Sequence, residues 1–409
     1  MNRFITPRCL YSSFSTQPSP LEQLQASLHD ELTSRPATVY RSIMPNETKD
    51  LIDVAFAGTL PPDCLSPGFS IDRHFSMRNG KLHPIVTQGY HVAYFPPRIT
   101  DADLLADGTD KLQWPGHPFV RRVWAGGSVV FHPHFQRILR GNVPSTLTED
   151  ITGVRVTGTE GNEKIWVTVR RKLWQRTPKE DTLMLSDTSG TDTDHVVETR
   201  NLVFMRERTE ELDTTKETRI VKRNSPSQLL SEFAKSSKAI HTPDYSISIT
   251  PTRHLLFRWS AITFNAHRIH LDPEYCREME GYRNMLVHGP LCLFLMLRVL
   301  RSQLHVSQDE MIMSIDYKNL APLYVDEPMK ICIKKDENRE DRYAVWIEGK
   351  DGGYAVKGTA VIGKQITKEN KHGSNKQAKK KVAQEKSLPS GDGIASPETL
   401  HKEAPEDEL

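Results

Sequence analysis

The chain reads as an α+β protein in which antiparallel strands pack around a buried helix, and two kinds of pattern carry that reading. Leu291, Leu293, Phe294, Leu295, Met296, Leu297, Val299 and Leu300 put apolar side chains on nearly every side of a helix predicted over about 290–304, so other structure must wrap it. Strand signals lie on both sides of it. Ile165-Trp166-Val167-Thr168-Val169 alternates with period two, and Asn201–Met205 is a short apolar run. Further strands are predicted near Met311–Tyr317, Met329–Lys334, Ala344–Ile347 and Tyr354–Ile362. Asp351-Gly352-Gly353, between the last two, signals a hairpin, because glycine accepts the positive φ of a tight turn.

Taken from the N-terminus, residues 1–17 hold Arg3, Arg8 and several hydroxyl side chains, and the first carboxylate is Glu22. That is the composition of a mitochondrial transit peptide, and Phe4–Ile5 is too short an apolar core for a secretory signal. Residues 18–58 are expected to form a helical extension, with helices over Leu21–Leu32 and Pro45–Ala57. Residues 59–206 form a first unit. It opens on loops over 59–120 (His83-Pro84, Phe95-Pro96-Pro97, Trp114-Pro115-Gly116-His117-Pro118) and carries a Ser/Thr/Asp-rich insertion over Thr177–His195. Residues 207–250 read as a polar linker. The second unit, 251–365, starts with a strand-and-turn stretch to His270 and a helical patch around Pro273–Glu280. The Lys-, Ser- and Gly-rich tail over 366–409 has too few aliphatic side chains, widely scattered, to bury a core.

Composition excludes several classes. The 409 residues suffice for two or three domains, and 54 basic against 52 acidic side chains leave no basic field for nucleic acid. The cysteines (Cys9, Cys64, Cys276, Cys292, Cys332) lie far apart with no CxxC pair, which argues against a disulfide framework or a structural zinc site and suits a reducing compartment. The most apolar run, Leu291–Leu297, stops at Arg298, far short of the roughly 20 residues of a membrane span.

Two short stretches carry chemistry. In Val287-His288-Gly289-Pro290 a proline suited to the first helical position places Gly289 at a helix start, with a free backbone N–H and no side chain in the way. The helix dipole favours negative charge there, as an oxyanion hole for a thioester enolate requires; a plain helix cap is the alternative. In Phe264-Asn265-Ala266-His267-Arg268-Ile269-His270 an amide and two imidazoles follow the predicted strand. Histidine moves protons near neutral pH, and the Asn265 amide can orient a hydroxyl or water. His254, His267 and His270 have no carboxylate or cysteine at ligand spacing, so no metal is expected.

From Phe257 to Asp272 the chain resembles the hydratase motif of the MaoC-like, R-specific enoyl-thioester hydratases. Val287–Pro290 is similar to their helix start and Tyr317–Leu323 to the strand that follows, while Gly89–Arg98 and Phe119–Gly127 extend the likeness to about 60–365. Within that group it resembles the fungal mitochondrial hydroxyacyl-thioester dehydratases of type 2, with bacterial mesaconyl-type hydratases as cousins. The resemblance implies a double hot-dog fold, two antiparallel sheets each wrapping a central helix, with the first unit non-catalytic and shaping the acyl tunnel. It implies dehydration of 3-hydroxyacyl thioesters to trans-2-enoyl thioesters without a cofactor. His270 would move the proton, Asn265 orient the hydroxyl and the Gly289 N–H hold the thioester oxygen, with His267, Arg268 and His288 in contact with substrate. The substrate would ride on an acyl carrier protein in type II fatty acid synthesis of the mitochondrial matrix, with Arg121, Arg122 and Arg268 as candidates for the carrier or the pantetheine phosphate. A CoA-dependent short-chain or dicarboxylic hydratase and an inactive acyl-binding scaffold are the alternatives, and the oligomeric state is left open. One departure stands out: the family has Asp five residues before the histidine, where this chain has Asn265, and its motif Asn and Pro are His267 and Arg268 here. Asparagine is neither a general acid nor a base, so the two-residue dyad does not carry over whole.

Overall fold

The computed structural model describes residues 18–67, 69, 86–133, 139–175, 194–207, 239–304 and 309–365. In chain order the elements are α1 (Pro20–Thr33), β1 (Thr38–Ile43), α2 (Asn46–Phe56), β2 (Arg121–Phe131), β3 (Pro144–Thr157), β4 (Lys164–Gln175) and β5 (Val196–Met205). The second half adds β6 (Tyr245–Ile249), α3 (Arg253–Thr263), α4 (Pro273–Glu278), α5 (Gly289–Ser302), β7 (Glu310–Asn319), β8 (Met329–Lys335), β9 (Arg342–Glu348) and β10 (Tyr354–Lys364). The expected transit peptide, most of the linker, the insertion after β4 and the C-terminal tail lie outside the described residues.

The α+β double hot dog is present, with its two half-sheets fused. All ten strands form one antiparallel sheet in the order β1-β3-β4-β5-β2-β7-β10-β9-β8-β6. The seam is β2 against β7, where Gly126 pairs with Lys318 and Val130 with Ser314. Gly126 sits at a bulge between β2 and β5 with φ +136°, and a Cβ on it would lie 2.3 Å from the Tyr317 carbonyl oxygen. Only glycine permits strands to join that closely.

Helix α5 lies in the concavity of the second half, and every residue from Leu291 to Arg301 is buried. Each such aliphatic or aromatic side chain contributes roughly 1.5–3 kcal/mol of burial. Arg298, the charge that interrupts the apolar run in the sequence, is buried too. Its guanidinium donates to the carbonyls of Cys64, Leu65 and Gln88 and to the Thr87 hydroxyl, at 2.7–3.0 Å, so it clamps first-half loops onto α5. In the first half, α1 packs Leu28 and Leu32 with Ile165, Val167 and Phe204.

Three expectations need correction. The stretch before His270 is the helix α3, not a strand: Leu255, Leu256, Trp259 and Ser260 are buried at helical spacing, and the Thr252 hydroxyl caps the start by accepting the Leu255 N–H. The helical extension also contains a strand, since β1 pairs with β3 along its whole length. The stretch assigned to a linker ends in β6, which pairs with β8.

Candidate active site

The motif loop hangs from the C-terminus of α3, where Phe264 takes the left-handed conformation (φ +51°) and the Asn265 N–H returns to the Ser260 carbonyl at 2.8 Å. This turns 265–270 toward the start of α5, where His270 stacks on His288. The Asn265 Oδ1 accepts the backbone N–H of His267 at 3.0 Å. A backbone N–H can only donate, so the amide oxygen is committed and the Nδ2 donor is left for the cavity that Asn265 lines.

His270 closes the turn Arg268–His270, buried and on the same cavity wall. Its Nδ1 lies 2.8 Å from the Leu286 carbonyl. A carbonyl only accepts, so Nδ1 carries the proton and Nε2 keeps the lone pair. Burial, aided by the charge of Arg122 and opposed by the Leu286 bond, pushes the His270 pKa down to about 4, which keeps the ring neutral at physiological pH.

His288 is fully buried behind His270, the rings stacked at 3.7 Å, with its Nε2 2.8 Å from the Ser260 hydroxyl. It is not part of the cavity wall, which corrects its expected place in contact with substrate. Its backbone caps α5 while its side chain turns toward α3, so it supports His270 from behind. His267 does line the cavity and meets His270 edge-on at 5.5 Å. Burial holds both His267 and His288 well below the usual imidazole range.

Gly289 is the first residue of α5 and Pro290 the second, one position later than expected. The first N–H groups of a helix have no intrahelical acceptor, so the Gly289 N–H is available at the positive end of the dipole. A Cβ on Gly289 would lie 2.9 Å from both Cβ and Cγ of Trp124. Glycine is needed because Trp124, on β2 of the other half, closes over the helix start. Trp124 is itself held by its indole N–H to the Tyr317 hydroxyl and by its carbonyl to the Asn319 amide, at 2.9 and 2.8 Å.

The cavity, about 530 Å³, runs from these residues across the first-half sheet. Its rim carries the exposed Phe257, Phe264 and Leu271. Its far wall holds a feature the sequence reading missed. Glu149 on β3, Arg171 on β4 and Arg200 on β5 line it, Glu149 directly opposite Arg171; Glu198, opposite Arg171 on β5 but not itself on the wall, is clamped by Arg200, which lies over Trp124. Burial alone would raise the Glu198 pKa, but Arg200 and Arg171 hold it down to about 2. The signal was a charge at Arg171 in phase with the inward Val167, Val169 and Leu173.

The three candidate arginines separate. Arg121 is buried against Glu280 at 2.8 Å, away from the cavity, so it is not a docking group. Arg122 is on the wall, paired with Asp110 at 3.2 Å. Arg268 is at the surface, paired with Asp272 and stacked on Tyr275. Among the described residues no group of three or more His, Cys, Asp or Glu is arranged to hold a metal.

A helix N-terminus, a buried histidine and an amide donor meet on this cavity, the groups that elimination of water beside a thioester calls for. The family pattern for hydroxyacyl-thioester dehydratase type 2 matches residues 89–325, more than half of the chain, and the chain belongs to that family. It is a dehydratase of hydroxyacyl thioesters. It is similar to the mitochondrial hydroxyacyl-thioester dehydratase type 2 of Schizosaccharomyces pombe, at 25% identity over 76% of this chain and 92% of that one. It is also similar to the mesaconyl-C(4)-CoA hydratase of Chloroflexus aurantiacus, at 27% identity over 76% of this chain and 91% of that one. A crystal structure of a MaoC-like dehydratase from Phytophthora capsici superposes with TM-score 0.47 at 14% identity, covering 82% of this chain and 98% of the other.

Proposed function

We propose that His270 is the acid–base group in removal of water from a 3-hydroxyacyl thioester. The observation that carries this is the Nδ1 bond to Leu286, which leaves the Nε2 lone pair for the cavity beside the helix start at Gly289. Nε2 takes the proton from Cα, the C–H electrons form the Cα–Cβ double bond, and the Cβ–O bond breaks. The departing hydroxide takes the proton back from the imidazolium and leaves as water. Burial that depresses the His270 pKa makes this imidazolium a strong acid, ready to release its proton. The Asn265 Nδ2 donates to the hydroxyl oxygen as charge grows there, and the Gly289 N–H holds the thioester oxygen. With one group performing both transfers, proton and hydroxyl leave from the same face.

The physiological substrate in this proposal rides on the phosphopantetheine of an acyl carrier protein, in type II fatty acid synthesis of the mitochondrial matrix. The acid-poor composition of residues 1–17 and the mitochondrial names of the fungal relatives support that placement. Arg268, beside the apolar rim, is the first candidate for carrier contact.

One observation favours a second reading. The charged groups Glu149, Arg171 and Arg200 on the wall are an unusual end for a long alkyl pocket, and suit a short or polar-ended acyl group on CoA. The test is hydration by purified 18–409 of crotonyl and longer enoyl thioesters, each on carrier protein and on CoA. Preference for long chains on the carrier supports the first reading. Preference for short chains on CoA overturns it in favour of the second, and inactivity on all of them refutes both.

A further inference from the structure

The first-half loop that faces the motif brings a carboxylate to a motif that has lost its own. We propose that Asp107 is a positioning residue for the dehydration, acting through His267; this deepens the reading of His270 above and rests on it. Asp107 is buried, at 4% exposure. Its Oδ1 accepts the Thr109 N–H at 2.9 Å and the Thr109 hydroxyl at 2.7 Å. Its Oδ2 makes no hydrogen bond and lies 3.4 Å from His267 Nε2, which is equally buried and makes none either.

Backbone contacts fix the pairing. The Asp107 carbonyl accepts the Arg268 N–H at 2.8 Å, and a Cβ on Gly108 would sit 2.1 Å from the Ala266 carbonyl oxygen, so the loops interlock. At 3.4 Å the two atoms are in ion-pair contact, longer than a well-formed hydrogen bond. A buried carboxylate lacking a second partner favours a proton on the nitrogen facing it. Asp107 therefore sets the His267 tautomer with Nε2 protonated. Its negative charge also stabilises positive charge in the adjoining His270, which His267 meets edge-on at 5.5 Å. The other charged and titratable groups around His267 are His270, stacked on His288, and Arg122, already paired with Asp110. Arg268 is turned outward to Asp272.

Asp107→Asn keeps the shape and an acceptor for Thr109 while removing the charge. For hydration of crotonyl thioester, kcat is expected to fall at least about tenfold, with KM within about twofold and the melting temperature within about 2 °C. The acid limb of the kcat–pH profile should move to lower pH, because the base loses a negative neighbour. In a double-mutant cycle with His267→Gln, the combined loss should not exceed the larger single loss. An unmoved acid limb, or losses that multiply, overturns the proposal. If Asp107→Asn melts more than about 5 °C below the parent, Thr109→Val, which loosens the carboxylate but keeps its charge, must move the same limb in smaller measure. No movement there overturns the proposal as well. His270→Ala is the control: activity in that variant refutes the site reading itself, whereas a full-rate Asp107→Asn beside an inactive His270→Ala refutes only the role of Asp107.

Discussion

Replacing Asn265 with Asp asks what the amide does, because the structure divides its two ends between different jobs. Oδ1 is held by the His267 N–H at 3.0 Å, and a carboxylate oxygen accepts that bond equally well. Stability should therefore change by less than about 0.5 kcal/mol, the usual range for a substitution that breaks no buried contact. The other end changes from a donor to an acceptor. Removing one donor from a site of developing negative charge costs about 10²–10³-fold in kcat, roughly 2.7–4 kcal/mol of transition-state stabilisation. A new negative charge near His270 should also raise its pKa from about 4 by roughly one to three units. The base is active when deprotonated, so the acid limb moves to higher pH. The new carboxyl donates only while protonated, so activity also falls as pH rises through its own pKa. The expected profile is low and narrow. The assay follows crotonyl-thioester hydration by loss of enoyl absorbance between pH 5 and 9, with a thermal melt on each sample. Activity within about threefold of the parent at neutral pH, with an unshifted profile, would show that the Nδ2 group does not touch the reacting oxygen.

His270→Ala should lower turnover by about 10²–10⁴-fold with the fold retained; more than about a third of parental activity would remove His270 from the chemistry. Gly289→Val should lose both stability and rate, because a branched side chain meets Trp124 where even a Cβ has only 2.9 Å; a normal rate and affinity would sink the oxyanion-hole assignment. His91 and His270 are pushed down to about 4, and His267 and His288 also lie well below the usual value, chiefly through burial. The unfolded chain therefore binds protons first, and stability should fall as pH drops from about 6.5 toward 4, by up to about 1.4 kcal/mol per pH unit per histidine, lowering the melting temperature; a flat melting profile over that range would contradict it. Deleting 366–409 should leave purified activity within about twofold, since the tail is polar and carries only scattered aliphatic side chains; a tenfold fall would show that it contributes.

What the sequence made legible were elements whose burial is one-sided or complete. Helix α5 was readable because all its faces are apolar, and β7 to β10 because their apolar runs sit between clear turn residues, Gly352 at φ +72° among them. Strand β2 was not predicted: Gly126-Gly127 interrupts its strand pattern, and the two glycines mark the place where three strands crowd together. Strand β3 was hidden by its polar residues, Thr146, Thr148, Glu149 and Asp150 among them. Helix α3 was misread because Trp259, Ile262 and Thr263 favour strands, while its burial pattern emerges only against the core that contains Phe294. In the site, Asn265, His270 and Gly289 were visible as local motifs. Asp107 was not, since nothing near it in sequence points to a partner 160 residues away.

The same pattern explains why the first half cannot be a passive scaffold, though it carries no hydratase motif. Gly289 is glycine because of Trp124, a first-half residue. The motif loop is locked by the Asp107 carbonyl and by Gly108, and the far wall of the cavity is a charged row on β3, β4 and β5. Arg121, also from the first half, reaches across to Glu280, a buried pair whose loss of one partner would leave an uncompensated charge at the seam. Of these first-half residues only Trp124 and Arg121 lie in a stretch, Phe119–Gly127, that the sequence marks out. Selection on such a half would act through geometry at the seam, and substitutions there should disturb catalysis through the position of Gly289 and the motif loop before they disturb the fold of either half.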